Sequence, residues 1–264
     1  MITINYNGRL GNIFFVSIGA SILAKKYNLK VMNYTTPGPI ASRAGRVDEP
    51  WLLTNNIINT LGLQYYSGEK TITDRIIEIH DGNFVDCLNN PSKYANMGFV
   101  INEAHFQHGD FVRNYKAEIL EHFANTKYTS VDKDSLLVNV RIGDMVNDLG
   151  KYVPRLDYYV NCIDKISFKE GYIITDSINH PIAQTLVQKY SLKYFSSSAP
   201  TPGVAAAEQI MFAKDFNNLV LSSGTFAWWI ALLSKANNIY YAQTPVQWTG
   251  DIHVYPEWKG ISFS

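Results

Sequence analysis

The chain has 264 residues, enough for one large domain or two lobes of ordinary size. Hydrophobic residues make up 46% and charged residues 17%, which excludes a disordered chain. Lys plus Arg and Asp plus Glu each total 23, so the formal charge is zero and the broad basic field of a nucleic-acid binder is missing.

Residues 2–6 read as a short strand and Gly8-Arg9-Leu10-Gly11-Asn12 as a tight turn. Residues 13–27 follow as a helix with Phe14, Ile18, Ile22 and Leu23 on one apolar face and Lys25 and Lys26 in the last turn. A strand is predicted at 29–33. Strand, glycine turn, helix and strand in this order begin a Rossmann-like unit. Residues 37–50 hold three prolines and two glycines and read as a long loop. A helix is predicted at 50–61, then short strands and turns over 63–101, including Asp81-Gly82 and Asn89-Asn90-Pro91, then a helix at 110–124.

The polar, turn-prone stretch 127–135 marks a lobe boundary, giving one Rossmann-like lobe over 1–128 and another over 129–264. The second lobe alternates strands (136–141, 171–175, 219–222, 239–242) with helices (156–166, 181–190, 205–216, 226–235). The expected fold class is α/β, with two facing Rossmann-type lobes. A ligand then sits in the cleft between them, outside the carboxyl ends of the strands. The closing residues are expected to pack back on the first lobe.

Cys87 and Cys162 have no CxxC or Cys/His spacing, which argues against zinc and for a reduced intracellular protein. The opening Met1-Ile2-Thr3-Ile4-Asn5-Tyr6 lacks the pattern of a signal peptide, and no run of eighteen apolar residues occurs. A cytoplasmic protein without a transmembrane segment is the expectation.

Three motifs carry chemistry. The Gly8, Arg9, Gly11, Asn12 turn leads into a helix and presents backbone N–H groups and the positive end of a dipole; it reads as a phosphate site or as a plain tight turn. In Asn139-Val140-Arg141-Ile142-Gly143-Asp144, an arginine leaves a strand at its carboxyl end. Its planar fork matches two phosphate oxygens, the alternative being a surface pair with Asp144. In Ser222-Ser223-Gly224-Thr225, hydroxyls end one strand and begin a helix, suiting either capping or a diphosphate. Trp228 and Trp229 follow and read as core anchors. GxxxxGK[ST], GxGxxG and GxSxG are all absent, and no DxD-like acidic pair follows a strand, so a metal-bridged diphosphate is not indicated.

Taken in order, these segments resemble the α-1,2-fucosyltransferases of glycosyltransferase family 11. Residues 8–12 match a GRLGN opening, and His105-Phe106-Gln107 is similar to a GYFQ segment. Residues 139–144 stand where the family has HxRRGD, Ser223 to Trp229 match (S/G)TFxxW, and Tyr255-Pro256-Glu257-Trp258-Lys259-Gly260-Ile261 resembles a closing PEWxGI. The resemblance implies a GT-B-like fold and inverting transfer of L-fucose from GDP-fucose to a hydroxyl of a glycan acceptor, in α-1,2 linkage, with no required metal or other cofactor. It implies that Arg141 binds the donor β-phosphate and that Ser222, Ser223, Gly224 and Thr225 line the diphosphate. Gly8, Arg9, Gly11 and Asn12 then form the opposing wall, Asn139 takes the nucleotide-positioning place, and Asp176 matches an acid after a strand. Three positions depart from the family: Asn139 replaces His, Ile142 replaces the second Arg, and Ile13 replaces Gln. Arg9 and Arg155 are the candidate replacement cations. The departures leave open another nucleotide deoxyhexose donor, such as GDP-rhamnose, or a catalytically silent glycan-binding relative.

The expected chemistry is a single inverting displacement, with Arg141 facing the hydroxyls of 222–225 across the gap between lobes. Asp144 is the carboxylate nearest to Arg141 in sequence and reads as base or, better, as the partner that orients it; Glu208 and Glu103 are remote alternatives.

Overall fold

The computed structural model describes residues 1–6, 8–32, 53–102, 104–127, 132–199, 201–243 and 255–263, without the side chains of Asp132, Lys133 and Asp144. The loop predicted at 37–50 and the residue Glu103 lie outside the described residues. The chain forms two compact units. The first holds Met1–Lys127 with Ala199–Ala207, and the second most of the rest.

In the first unit, β1 (Ile2–Asn5), β2 (Ile76–Ile79) and β3 (Gly98–Asn102) form a parallel sheet in the order β1-β3-β2. Among the described residues, the strand predicted at 29–33 contributes two isolated bridges, Ile2 to Val31 and Leu29 to Lys70. Helix α1 (Leu10–Tyr27) begins three residues earlier than its apolar pattern suggests and is buried on nearly every side. Its polar side chains are therefore satisfied internally: Ser17 Oγ donates to the Ile13 carbonyl at 2.8 Å, and Ser21 Oγ accepts the Tyr66 N–H at 2.7 Å. Gly19 lets the rings of Phe84 and Phe106 close on α1, since a Cβ there would lie 2.7 Å from Phe106.

Thr54 caps α2 (Asn55–Leu61) by accepting the Ile57 N–H at 3.3 Å. Helix α3 (Asp81–Asn89) occupies a stretch that reads in sequence as turns and strands. His80 caps it by accepting the Gly82 N–H at 3.1 Å, and Asn83 returns to the His80 N–H at 2.9 Å. This is a capping box built on residues outside its usual set, which hides it from sequence pattern. The helix predicted at 110–124 breaks at Tyr115 into α4 (Gly109–Asn114) and α5 (Lys116–Glu121).

The second unit runs β4 (Asp132–Val140), a 3₁₀ turn (Gly143–Asp148), α6 (Leu156–Ile163), β5 (Glu170–Thr175), α7 (Pro181–Tyr190) and β6 (Lys193–Tyr194). It continues through α8 (Pro202–Ala213), which starts among residues grouped with the first unit, to β7 (Phe216–Leu221), α9 (Thr225–Leu233), β8 (Asn238–Gln243) and β9 (Lys259–Ser262). All six strands are parallel, in the order β6-β5-β4-β7-β8-β9. Counted within the unit this is 3-2-1-4-5-6, the doubly wound order whose direction reverses between β4 and β7. The closing residues, expected to return to the first lobe, form β9 and extend this sheet beside β8, because their free backbone groups find a ladder there.

Strands covered on both faces are apolar along their length, and β7 is buried throughout. Leu136, Val138, Val140, Val220 and Tyr240 pack one face against Tyr158, Tyr159, Cys162 and Leu186 of α6 and α7. At the amino edge, Asn218 Nδ2 donates to the Ser135 carbonyl at 2.9 Å, Asn238 Nδ2 to Asn218 Oδ1 at 2.9 Å, and Lys259 Nζ to Asn238 Oδ1 at 3.0 Å. This polar ladder ties four strands in register. Cys87 and Cys162 are free, buried thiols, and burial pushes the Cys162 thiol up to about 11. Among the described residues, no helix is long and apolar enough to cross a membrane.

Candidate functional site

The register of the second sheet decides what meets at its carboxyl edge. Asn139 pairs with Leu221, and the Ser222 N–H donates to the Asn139 carbonyl at 3.0 Å. The two chains leave the sheet side by side, so Arg141 and the Ser222, Ser223, Gly224 run emerge at the point where strand order reverses. That is the edge where open α/β sheets bind ligands. Arg141 and these hydroxyls were expected on opposite sides of a gap between lobes; they belong to one unit, on neighbouring strand ends, because β4 and β7 are hydrogen-bonded partners.

Arg141 is half-buried. Behind it the backbone turns onto Asp176, whose Oδ1 accepts the Ile142 N–H at 2.9 Å and the Gly143 N–H at 3.1 Å; Ser177 Oγ accepts the latter too, at 3.1 Å. Gly143 has φ +24°, and a Cβ on it would lie 2.5 Å from Asp176 Oδ2. Asp176, expected among the donor-binding residues, thus holds the turn that aims Arg141. Ile142, where the family resemblance would place a second arginine, is 1% exposed and sits in the apolar core beside Val140. The side chain of Asp144 lies outside the described residues.

Helix α9 starts at the same edge. Gly224 holds φ +100° and ψ 169°, no side chain caps the helix, and no acid occupies its first turn. Among the described residues, nothing lies within 4 Å of a Cβ built on Gly224, so these leave open space at the positive end of the helix. Thr225 is half-buried at the first helical position. The Ser223 hydroxyl donates to the Tyr152 carbonyl and draws in the 148–155 segment. Arg155 is on that segment, its guanidinium against Gly150, where a Cβ would lie 2.6 Å from Nε.

Below the helix start, Trp228 and Trp229 are fully buried, with ring centroids 5.0 Å apart. Trp258 packs edge-on against Trp228 at 6.0 Å and Tyr255 at 5.1 Å, and the Tyr241 hydroxyl donates to the Gly224 carbonyl at 3.0 Å. The tryptophans are the core anchors their sequence suggested, and they clamp the end of α9 that faces the site.

Among the described residues, three buried polar atoms in this region find no hydrogen-bond partner: Asn139 Oδ1, Ser222 Oγ and Tyr159 Oη. Tyr159 and Ser222 are fully buried and Asn139 is 4% exposed. Each such atom costs about 1–3 kcal/mol unless something fills its valence. Burial pushes the Tyr159 phenol well up, nearby Ser222 offsets this in part, and Asp176 adds to it, so the phenol stays neutral. Alternation along β4 sets Asn139 on the face opposite the α6 core. Tyr159 escaped sequence reading because it sits among apolar helix residues with no motif around it.

The first unit has a cluster at its own carboxyl edge. Gly8 has φ +83°, and a Cβ there would lie 2.4 Å from Asn12 Nδ2, so the turn requires glycine. The half-buried Arg9 stands at the N-cap of α1, and its carbonyl accepts the N–H groups of Asn12 at 2.9 Å and Ile13 at 3.0 Å. Gly11 is buried, and Asn12 Oδ1 accepts from Gln107 Nε2 at 2.9 Å.

Sequence reasoning did not single out Asp81, which lies next to this segment. Its Oδ1 accepts the backbone N–H groups of His105 at 2.9 Å and Phe106 at 2.7 Å, and its Oδ2 is 3.5 Å from His105 Nδ1. Burial raises the Asp81 carboxyl, but the His105 imidazole and the two N–H groups bring it below its ordinary value overall. Glu208, an alternative acid from the sequence, accepts the Ser197 hydroxyl at 2.5 Å.

No curated protein matches the chain closely enough to count as a relative. The model of one protein family, described as Glycosyl transferase family 11, matches residues 1–262 and so spans both units, from the Gly8 turn through Arg141 to Trp258. A match over nearly the whole chain means that this protein belongs to glycosyl transferase family 11 and is a glycosyltransferase of the fucosyltransferase-like kind.

Proposed function

We propose that the protein moves L-fucose from GDP-fucose to a hydroxyl of a glycan, in α-1,2 linkage and with inversion at the anomeric carbon. In this reading the two units are GT-B-like facing lobes, the second holding the donor and the first the acceptor. One observation carries it: Arg141 and the uncapped, open start of α9 come together where strand order reverses. Both offer positive charge to a single spot, which suits a diphosphate.

As the anomeric C–O bond breaks, negative charge grows on the departing phosphate oxygen. A fixed donor at that oxygen is worth on the order of 3–4 kcal/mol. Arg141 supplies the fork, α9 its N-terminal dipole, and Asp176 holds the turn that follows Arg141; no metal is invoked. Arg141→Ala is expected to lower kcat by about a hundredfold or more in a mass-spectrometric transfer assay. Arg141→Lys is expected to recover only part of that, since the planar fork is lost. Wild-type turnover in Arg141→Ala would reject the assignment.

Asn139 and Ile142 favour a second reading, the same scaffold with another nucleotide deoxyhexose such as GDP-rhamnose. Ranking GDP, UDP, CMP and dTDP by thermal shift separates the two, because a ligand that binds only the folded state raises Tm with its affinity. A shift with UDP or dTDP and none with GDP removes guanosine from the account. A chain that binds glycans but transfers no sugar from any donor would instead be a silent relative.

A further inference from the structure

The first unit holds a cavity that neither the donor site nor the glycine turn uses. Its volume is about 220 Å³, and it lies between the second half of α1, the 64–66 segment and α5. Helix α1 leaves the carboxyl edge at Leu10 and rises about 1.5 Å per residue, which sets Lys25 about 22 Å away. The chain after α1 returns to the start of β1, where the Ile2 N–H donates to the Lys30 carbonyl at 2.7 Å. The cavity therefore opens toward the amino edge of the sheet, within one compact unit. We propose that it is a binding site for one neutral sugar residue of a glycan, separate from the groups at the carboxyl edge.

The walls are held to one another by hydrogen bonds. The Gln64 N–H donates to the His122 carbonyl at 2.8 Å, and His122 Nδ1 lies 2.6 Å from the Gln64 carbonyl. Facing a carbonyl, that nitrogen carries the proton. Thr126 Oγ1 donates to the Leu61 carbonyl at 2.6 Å, and Gly62, at φ +66°, passes so close to the end of α5 that a Cβ would lie 2.7 Å from the Asn125 carbonyl oxygen. On the side of α1, Ser21 Oγ accepts the Tyr66 N–H at 2.7 Å. At the rim, Lys25 Nζ of α1 is 2.9 Å from Glu121 Oε2 of α5, both side chains being more than half exposed. The three elements are thus tied pairwise, so the space between them cannot close by sliding, and a ligand meets a site whose ordering cost is already met.

Size and charge select the ligand. Pockets for drug-sized molecules run to roughly 300–1,000 Å³, so about 220 Å³ takes one ring and not a chain. Ile22, Tyr65 and Tyr66 supply apolar surface. Tyr66 is 38% exposed, and the Tyr65 ring stands 6.0 Å from that of His122. Lys25, Gln64, Glu118 and Glu121 surround these rings with donors and acceptors. An anion would meet two carboxylates here, and a cation would meet the Lys25 ammonium. A wholly apolar molecule would strip water from Glu118, a half-buried carboxylate with no ion pair among the described residues. A neutral sugar avoids all three costs. One face of its ring is C–H and covers the tyrosines, while its hydroxyls donate to Glu118 and accept from Lys25. The lining gives a neutral, polyhydroxylated ligand, and the choice of a sugar within that class rests on the transferase reading above, whose acceptor is a glycan. A mere packing gap has no use for a carboxylate at its wall, since an apolar side chain there would fill the space at no desolvation cost.

The test is ligand-observed NMR on the full chain without nucleotide. Lactose, cellobiose and N,N′-diacetylchitobiose are the neutral probes, and glucosamine and glucuronate the charged ones. Saturation should pass from the protein to the ring C–H protons of at least one neutral probe. Glu118→Gln should weaken that binding by about tenfold, the loss of a hydrogen bond to a charged group. Tyr66→Ala should weaken it as well, because the ring contact is removed. Neither side chain is buried, so Tm should stay near that of the wild type; Tyr66→Leu replaces Tyr66→Ala if the latter melts early. Any Tm shift caused by GDP should be the same in these variants as in the wild type, since the proposed donor groups belong to the second unit. Silence from every neutral probe overturns the proposal, and neutral binding that both variants leave untouched overturns this site. Tighter binding of glucosamine or glucuronate than of any neutral probe overturns the ligand class. A wild-type Tm that GDP does not move counts against the guanosine donor and not against this site, which the sugar probes decide.

Discussion

Gly143 turns at φ +24° two residues after Arg141, with no room for a Cβ beside Asp176. Gly143→Ala must push that carboxylate off the Ile142 and Gly143 N–H groups. A destabilisation of about 1–3 kcal/mol is expected in thermal melts, together with a fall in kcat as Arg141 loses its aim. Gly224 differs, because its φ of +100° is strained for any other residue but nothing crowds it. Ser222 gives a sharper contrast. Its hydroxyl is fully buried and finds no hydrogen-bond partner among the described residues, so Ser222→Ala removes a polar group unmet by them. The free protein should melt at the same temperature or higher, while the thermal shift caused by GDP should shrink. A clear loss of Tm in the free variant would show that the hydroxyl serves the fold and not the ligand.

Among the elements, α9 depends most on its neighbours. Its sequence is apolar all round and has no cap, so local propensity does not fix where it starts. The rings of Trp228, Trp258, Tyr255 and Tyr241 and the Tyr241 bond to Gly224 set that point. Trp258→Ala leaves a cavity against Trp228 and should cost about 3–5 kcal/mol in denaturant unfolding. The remaining folded fraction should also bind donor more weakly, because the helix start loses its clamp. Helix α1, by contrast, is fixed at its N-terminus by Gly8 and the Arg9 carbonyl, and at its C-terminus by Asn28 in a left-handed cap.

For the molecule as a whole, acidification should act in one direction. Asp81 and Asp86 have depressed carboxyl pKa values, Asp86 at about 2 through hydrogen bonds from Lys93 and Tyr94. Their stabilisation is present above the unfolded carboxyl pKa and is lost as pH falls through the folded one. Burial depresses His122, whose Nδ1 is 2.6 Å from the Gln64 carbonyl. A lowered histidine pKa means that the unfolded chain takes up the proton first, so stability falls as pH drops below about 6.5. Tm measured from pH 7.5 to 4 should decline throughout. His122→Gln should flatten the part near pH 6, whereas an unchanged slope in that variant would remove His122 from the explanation.

The sequence by itself determined the strand–helix alternation of the second unit, since buried parallel strands must be apolar runs and Leu136 to Val140 or Leu219 to Leu221 are legible as such. It also determined the positions of Gly8, Arg141 and Gly224, because glycine turns and strand ends carry local signals. Local pattern missed α3, whose cap is a histidine, and left the 3-2-1-4-5-6 strand order open, because order depends on pairings between residues tens of positions apart. Only the tertiary structure decided that Arg141 and Ser222 leave neighbouring strands of one sheet, that Asp176 faces backbone N–H groups, and that Asp81 meets His105 across 24 residues of chain. Those contacts come from long-range register and burial, which no short window of residue types encodes.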